Sequence, residues 1–560
     1  MDRVPADPQG GLTPAPTSTG ASTRTPRGQR LITLMCAFVA GGLVWFATPH
    51  GAALLPDSVQ YIAAARRLAS GFGLEAPNAR GDWSALTRFP PLYPGLLAGA
   101  ASVTGLDPVD IARPLQALIS MLNVWLAARL FRRTEVARFA APVAALLTSV
   151  APSVLRINTQ ALSEGLFLSL MLLAIDQLLS WGAARSRRTI LLCGAASAAA
   201  ALTRYAGASI IAFAAVMIAV APRRANEPRR ANDLALYLSA SASPLFCWLL
   251  RNALVAGDAV ARSFAVHSPR RQDFQHGLST VAGWLSPWEL PAVVLQPAAQ
   301  ATPLILLLAG LLIVRARSRK RLASPQESRI LQAPQTVPTL LGFAAAYLAF
   351  IVVARTFVDA AVPFDERLLL PLLVLLGPVA AASAWTTVAR RSAAVRVLTR
   401  STIIAWVASL GARSATWANE VRGTGQALEA ARWRDSAALA FVKALPDECR
   451  IVSNAPDAVY VWTGRPAALL PARTDPITEG VNAGIASELD ALQQGVVAGH
   501  LTIAHFDAVT WRWYLPSGPQ LRAILGDAAP TREVGDGWLA GCGVETIELG
   551  GAGGLSPGDS

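Results

Sequence analysis

The chain reads as a polytopic α-helical membrane protein of about eleven transmembrane helices, followed by an extracytoplasmic α/β domain. Three observations predict this. Of 560 residues, 53% are hydrophobic and only 15% charged, where a soluble domain carries about 25% charged. Apolar stretches near the roughly 20 residues that cross a bilayer recur between residues 31 and 413. Beyond 413 the pattern changes to short strand-like runs alternating with helix-like ones.

The elements follow in order. Residues 1–30, rich in Pro, Thr, Gly and Arg, are expected to be a disordered cytoplasmic tail. The transmembrane domain spans 31–413, with candidate helices at 31–48, 110–131, 137–155, 161–181, 189–203, 205–221, 234–254, 296–314, 337–357, 366–388 and 397–413. With the Arg24, Arg27 and Arg30 tail inside, alternation leaves an arginine cluster in every inside loop, including "PRRANEPRR" and "RARSRKR". The net charge of +13 therefore follows topology; basic stripes interleaved with aromatics, on which bases could stack, are absent. The outside face receives the first loop, 49–109, the Arg204 turn, 255–295 and everything after 413.

In 414–548 the expected order is a helix in "WRDSAALAFVKALP", a strand in "CRIVSN", a helix in "PDAVYVWTG" and a strand in "RPAALLP". A helix over 478–498 follows, then a strand in "LTIAHF" and a closing strand pair in "GWLAGCGVETIEL". Residues 549–560, glycine-rich, are expected to be a flexible tail. Cys36, Cys193 and Cys247 lie in apolar segments, where cysteine is a small core residue. Cys449 and Cys542 are free to pair if their domain faces an oxidising compartment.

Several chemistries have no motif here. GxxxxGK[ST], HExxH, CxxC and Asp-x-Asp do not occur, GxSxG matches only in the glycine-rich tail at 554–558, away from any expected strand-to-helix turn, and the five histidines lack metal-ligand spacing. An enzyme built on this chain is expected to need no cofactor, nucleotide or dedicated metal.

The first external loop opens on Asp57 and closes on "FPPLYP". Asp57 can cap the helix that follows it, worth about 1 kcal/mol, or serve as a general base at the mouth of a membrane cavity. The prolines end a helix and bend the chain back to the membrane, with Tyr93 expected at the interface. Glu164 sits at the outer end of a helix, a costly depth for an unpaired carboxylate. It can bind substrate or pair with Arg156 or Arg204. Asp176, deeper on the same helix, is expected to be structural, and Asp365 to pair with Arg367 or a neighbouring arginine.

"PDSVQYIAAARRLASGFGL" and "LTRFPPLYPGLLAG" resemble the first external loop of membrane glycosyltransferases with the C-type fold. The likeness is to bacterial protein O-mannosyltransferase-like proteins and lipopolysaccharide-core galacturonosyltransferases. "TQALSEGLFLSL", "ALTRYAG", "RNALVAGDAVAR", "PFDERLLLPL" and "SNAPDAVYVWTGRPAALLP" are similar too, so ordered blocks cover most of 30–475. The resemblance implies an enzyme that takes a sugar from a polyprenyl-phosphate carrier outside the membrane. Asp57 matches the family's catalytic base; Ser58 stands where many relatives have a second acid. Such a donor carries its own leaving group, whose phosphate needs cations. Arg88, Arg204, Arg251, Arg262 and Arg367 are the candidates, with Tyr93 and Glu164 as further substrate contacts. Each arginine could instead snorkel or pair within the bundle. The rival reading is a transporter or scaffold for lipid-linked substrates. A transporter predicts midplane charges and inverted repeats, whereas the ionisable residues here gather towards the outer face and no repeat is visible.

Overall fold

The computed structural model describes residues 27–134, 137–222, 230–261, 266, 270–286, 336–358, 363–388, 391–475, 480–526 and 529–545. Helix α1 (Arg27–Ala47) begins inside the stretch expected as a tail and leads to a first loop that is itself folded. That loop contains α2 (Pro56–Ala69), a hairpin of β1 (Glu75–Pro77) and β2 (Trp83–Ala85), and α3 (Leu92–Thr104). Then come α4 (Pro108–Phe131), α5 (Ala137–Val150), α6 (Pro152–Asn158), α7 (Glu164–Ala184), α8 (Arg187–Thr203) and α9 (Ala208–Val220). The bundle is completed by α10 (Arg230–Ala256), α11 (Arg271–Leu285), α12 (Thr336–Phe357), α13 (Glu366–Thr387) and α14 (Ala393–Thr424).

Seven of these, α1, α4, α7, α10, α12, α13 and α14, are long and apolar enough to cross a membrane. The chain is thus a multi-pass membrane protein. The eleven expected spans resolve differently. The 137–155 stretch is a helix pair bent by 55°, because Pro152 leaves Ala151 extended and breaks the hydrogen-bond ladder. The 189–203 and 205–221 segments form α8 and α9, of 17 and 13 residues. The 296–314 segment lies outside the described residues. Helix α14 runs past residue 413 to Thr424 and carries the chain into the sheet region.

That region contains a mixed five-stranded sheet of order β4-β3-β5-β7-β6. Its strands are β3 (Arg450–Ser453), β4 (Ala468–Leu469), β5 (Leu501–Phe506), β6 (Thr531–Val534) and β7 (Gly537–Gly541). β3 runs parallel to β4 and β5, with Val452 opposite Ile503, and β7 is antiparallel to both β5 and β6. "TREV" pairs with "GWLAG", while the second strand expected in "GWLAGCGVETIEL" runs into residues 546–549, outside the described residues. β6 reads as polar because it is the sheet's edge. The expected 478–498 helix is present as Ile485–Val497. Cys449 and Cys542 form a disulfide with Cα atoms 5.7 Å apart.

One apolar core holds the first loop to the sheet region. Tyr61, Ile62 and Tyr93 share it with Trp433, Phe441, Val459, Phe506 and Leu539. At its margin Leu469 N–H donates to Ala79 O at 2.8 Å, and Arg450 reaches Asp82 at 2.8 Å.

Candidate active site

Asp57, Glu164, Arg204 and Arg367 meet in one network where the bundle adjoins the sheet region. Three local features bring them there. Pro56 occupies the first position of α2, and Leu55 N–H donates to Ser58 Oγ at 3.1 Å. Ser58 thus serves the cap, and the Asp57 carboxylate is left free for a tertiary partner. Ala53 bonds Thr159 O and Ala161 N–H, both at 2.9 Å, which sets the start of α2 beside the start of α7. Asp365 caps α13 by accepting from the backbone N–H of Arg367 and Leu368 at 3.0 and 3.2 Å. The Asp365 side chain is thus spent on the backbone cap rather than on the expected side-chain pair with an arginine.

Arg367 Nη2 lies 2.8 Å from Asp57 Oδ2 and 2.6 Å from Glu164 Oε1, while its Nε donates to the same Oε1 at 2.7 Å. Arg204 Nη1 reaches that oxygen at 2.7 Å. Glu164 is 2% exposed and its Oε2 has no hydrogen-bond partner among the described residues. The Asp57 side chain is 35% exposed. The four charges balance, which keeps the group tolerable at low dielectric. Behind it, Tyr61 OH lies 3.1 Å from Ser163 Oγ, and burial pushes its phenol pKa up so that it stays protonated.

The other expected site residues are placed as follows. Tyr93 is fully buried, packing edge-to-face on Tyr61 and accepting from Gln116 Nε2 at 3.0 Å. It is a core residue, not an interface one, because the Pro90–Pro91 bend tucks α3 under α2. Arg251 donates to Leu86 O and Asn252 Oδ1, both at 3.1 Å, and so holds the loop backbone just before Thr87. Arg88 is exposed and lines a cavity together with Asp57. Arg262 lies outside the described residues. Arg156 pairs with Glu366 at 3.2 Å rather than with Glu164. Asp176 is structural, held by Arg129 at 3.0 Å and Arg133 at 2.6 Å.

The cavity, of about 520 Å³, lies between the first loop and the sheet region. Asp57, Arg88 and Phe89 face it from the loop; Asp457, Tyr460, Trp511, Arg512 and Tyr514 face it from the other side. Sequence reasoning did not single out these last five. Asp457 and Tyr460 stood in a quoted block, but nothing local marked them as facing Asp57. Burial raises the Asp457 pKa, and the Arg512 guanidinium paired with it opposes the rise.

No protein-family model matches the chain, and no curated protein matches it either. Among solved structures, it is similar to ArnT from Cupriavidus metallidurans bound to undecaprenyl phosphate. The TM-score is 0.54 at 16% identity, covering 92% of this chain and 98% of that one. Archaeal oligosaccharyltransferase AglB from Archaeoglobus fulgidus, in complex with an inhibitory peptide and a dolichol-phosphate, gives a TM-score of 0.48 at 12% identity. That match covers 79% of this chain and 64% of AglB, and only the ArnT likeness is strong enough to bear on the fold. The architecture is the one implied by the sequence blocks: the C-type fold of membrane glycosyltransferases.

Proposed function

We propose that the protein transfers a sugar from a polyprenyl-phosphate-linked donor to an acceptor on the extracytoplasmic side of the plasma membrane. The observation that carries this reading is Arg367, whose Nη2 joins Asp57 Oδ2 to Glu164 Oε1, with Asp57 itself lining the cavity. Undecaprenyl phosphate in the similar ArnT structure supports the donor class. The Cys449–Cys542 disulfide supports an oxidising compartment for the sheet region.

In this reading the donor phosphate meets the guanidinium of Arg367, with Arg204 behind it and Arg88 on the same first-loop wall of the cavity as Asp57. Phosphate competes with Asp57 for Arg367, so donor binding releases the Asp57 carboxylate. Asp57 then takes the proton of an acceptor hydroxyl as its oxygen attacks the anomeric carbon. The bond from that carbon to the phosphate oxygen breaks, and the polyprenyl phosphate leaves with the electron pair, held by the arginines. A single displacement inverts the anomeric centre. Asp57 is favoured over Glu164 as the base because Glu164 is 2% exposed and already bound by two arginines. No metal or cofactor enters this scheme.

The test is transfer from labelled polyprenyl-phosphate sugars in envelope membranes that supply the native acceptor. Asp57→Asn keeps the size and removes the base. At equal abundance it is expected to lose about a hundredfold or more of the rate; equal transfer by the two proteins would remove Asp57 from the chemistry.

A further inference from the structure

The cavity beside Asp57 has a second wall that the transfer scheme does not use. Arg512 is fixed there by two partners: it pairs with Asp457, and its Nη1 donates to Asn454 O at 2.7 Å. Asn454 in turn brackets Phe506 at the end of β5, donating to its O and accepting from its N–H, both at 2.9 Å. The pair is therefore anchored to the sheet rather than to a loose loop. The Arg512 side chain is 10% exposed and that of Asp457 17%. Trp511, next to this buried pair, is 48% exposed and lines the cavity. Tyr514 and Tyr460 add phenol edges, and Tyr460 is held by Trp83 of the first-loop hairpin at 5.9 Å.

A half-exposed indole beside an ordered carboxylate–guanidinium pair is an odd combination for a surface with no ligand. An acyl chain would cover this ion pair with hydrocarbon and leave its remaining hydrogen-bonding capacity unmet. A sugar ring suits every part: its C–H face lies on an aromatic face, while its hydroxyls donate to the carboxylate and accept from the guanidinium. The volume falls within the roughly 300–1,000 Å³ of small-molecule sites. We propose that Trp511, Asp457, Arg512 and Tyr514 form a sugar-ring subsite, so that the acceptor presented to Asp57 is itself a glycan. The word acceptor rests on the proposed transfer; the subsite does not.

The test is photo-crosslinking by the full-length protein in the membranes of the cells that make it. Trp511→benzoylphenylalanine probes the cavity, and Trp513→benzoylphenylalanine is the control, because Trp513 is 69% exposed and does not line the cavity. The expected result is an adduct from position 511, and not from 513, that stains for carbohydrate after periodate oxidation. A sugar-free lipid or peptide adduct, equal adducts from both positions, or no adduct at 511 would overturn the subsite. The same pair is run in an Asp57→Asn background. If the glycan adduct persists there and transfer is unchanged, the subsite stands while the general-base reading fails. In transfer assays, Trp511→Ala is expected to raise the acceptor KM up to about tenfold, with the donor KM unchanged. A merely structural loss would instead move both.

Discussion

Arg367 is the residue on which the candidate site turns. Its guanidinium serves an acid from the first loop and an acid from α7, positions that only the folded chain brings together. Arg367→Gln leaves Glu164 with Arg204 alone and one carboxylate charge in excess. Removing one partner of a buried pair costs about 3–5 kcal/mol. The variant is expected to unfold at lower temperature and to lose thermal protection by polyprenyl phosphate. Adding Glu164→Gln should recover much of the stability and none of the protection. A second titratable residue, Glu429, lies outside the spans and is 6% exposed. Burial raises its pKa to about 7, with Asp110 adding to the rise and Arg434 opposing it. An unfolded glutamate ionises near 4.3. Between about 4.3 and 7 the native state therefore holds a proton that the unfolded state has lost, and stability falls as pH rises through that window. The cost is absent below it and complete above it, at roughly 4 kcal/mol. Glu429→Gln should match wild type in thermal unfolding near pH 4 and exceed it near pH 8; a gap that does not grow with pH would contradict this.

At the scale of elements, the first loop behaves as part of the sheet region's packing rather than as a tether between helices. The β1–β2 turn reaches β4 through Gly81, which sits at φ +78° with the Ala467 carbonyl carbon 2.9 Å from where a Cβ would stand. Both the left-handed backbone and the close approach demand glycine. Gly81→Ala is expected to cost about 1–3 kcal/mol, read as faster proteolysis at residues 78–82 with the bundle still folded. Gly207 has a related role beside the site. A Cβ there would lie 2.3 Å from Ala201 N, so glycine lets the turn after Arg204 fold back on α8 and present that arginine to Glu164.

The whole molecule is joined across what looks in sequence like a domain boundary. The shared core, the Ala79–Leu469 hydrogen bond and the Arg450–Asp82 pair leave the cavity between two surfaces that pack as one. The Cys449–Cys542 disulfide closes a loop of sequence separation 93, tying the start of β3 to the chain just after β7. In the chain-entropy account a loop of that size contributes about 4–5 kcal/mol. Cys449→Ser with Cys542→Ser should lower the unfolding temperature of the protein, and reductant should do the same to wild type only. Equal sensitivity of both proteins to reductant would place the effect elsewhere.

Hydropathy is local, so the sequence alone determined that this is a multi-pass membrane protein, where most of its helices run and where four of the five strands of the sheet lie. It also made Glu164 conspicuous, because a carboxylate at that depth is costly unless paired, while Asp57, Arg204 and Arg367 stood out through the family resemblance of their sequence blocks. What it could not settle was partnership. Glu164 was open to Arg156 or Arg204 and is held by Arg204 together with Arg367, which stands 203 residues away. Tyr93 carries the signature of an interface residue and is buried, because a proline bend directs the helix behind it inward. The second wall of the cavity was invisible for the same reason. Asp457, Trp511 and Arg512 have no local pattern that separates them from an ordinary surface loop, and they become a candidate site only when helix packing and a shared core set them opposite Asp57.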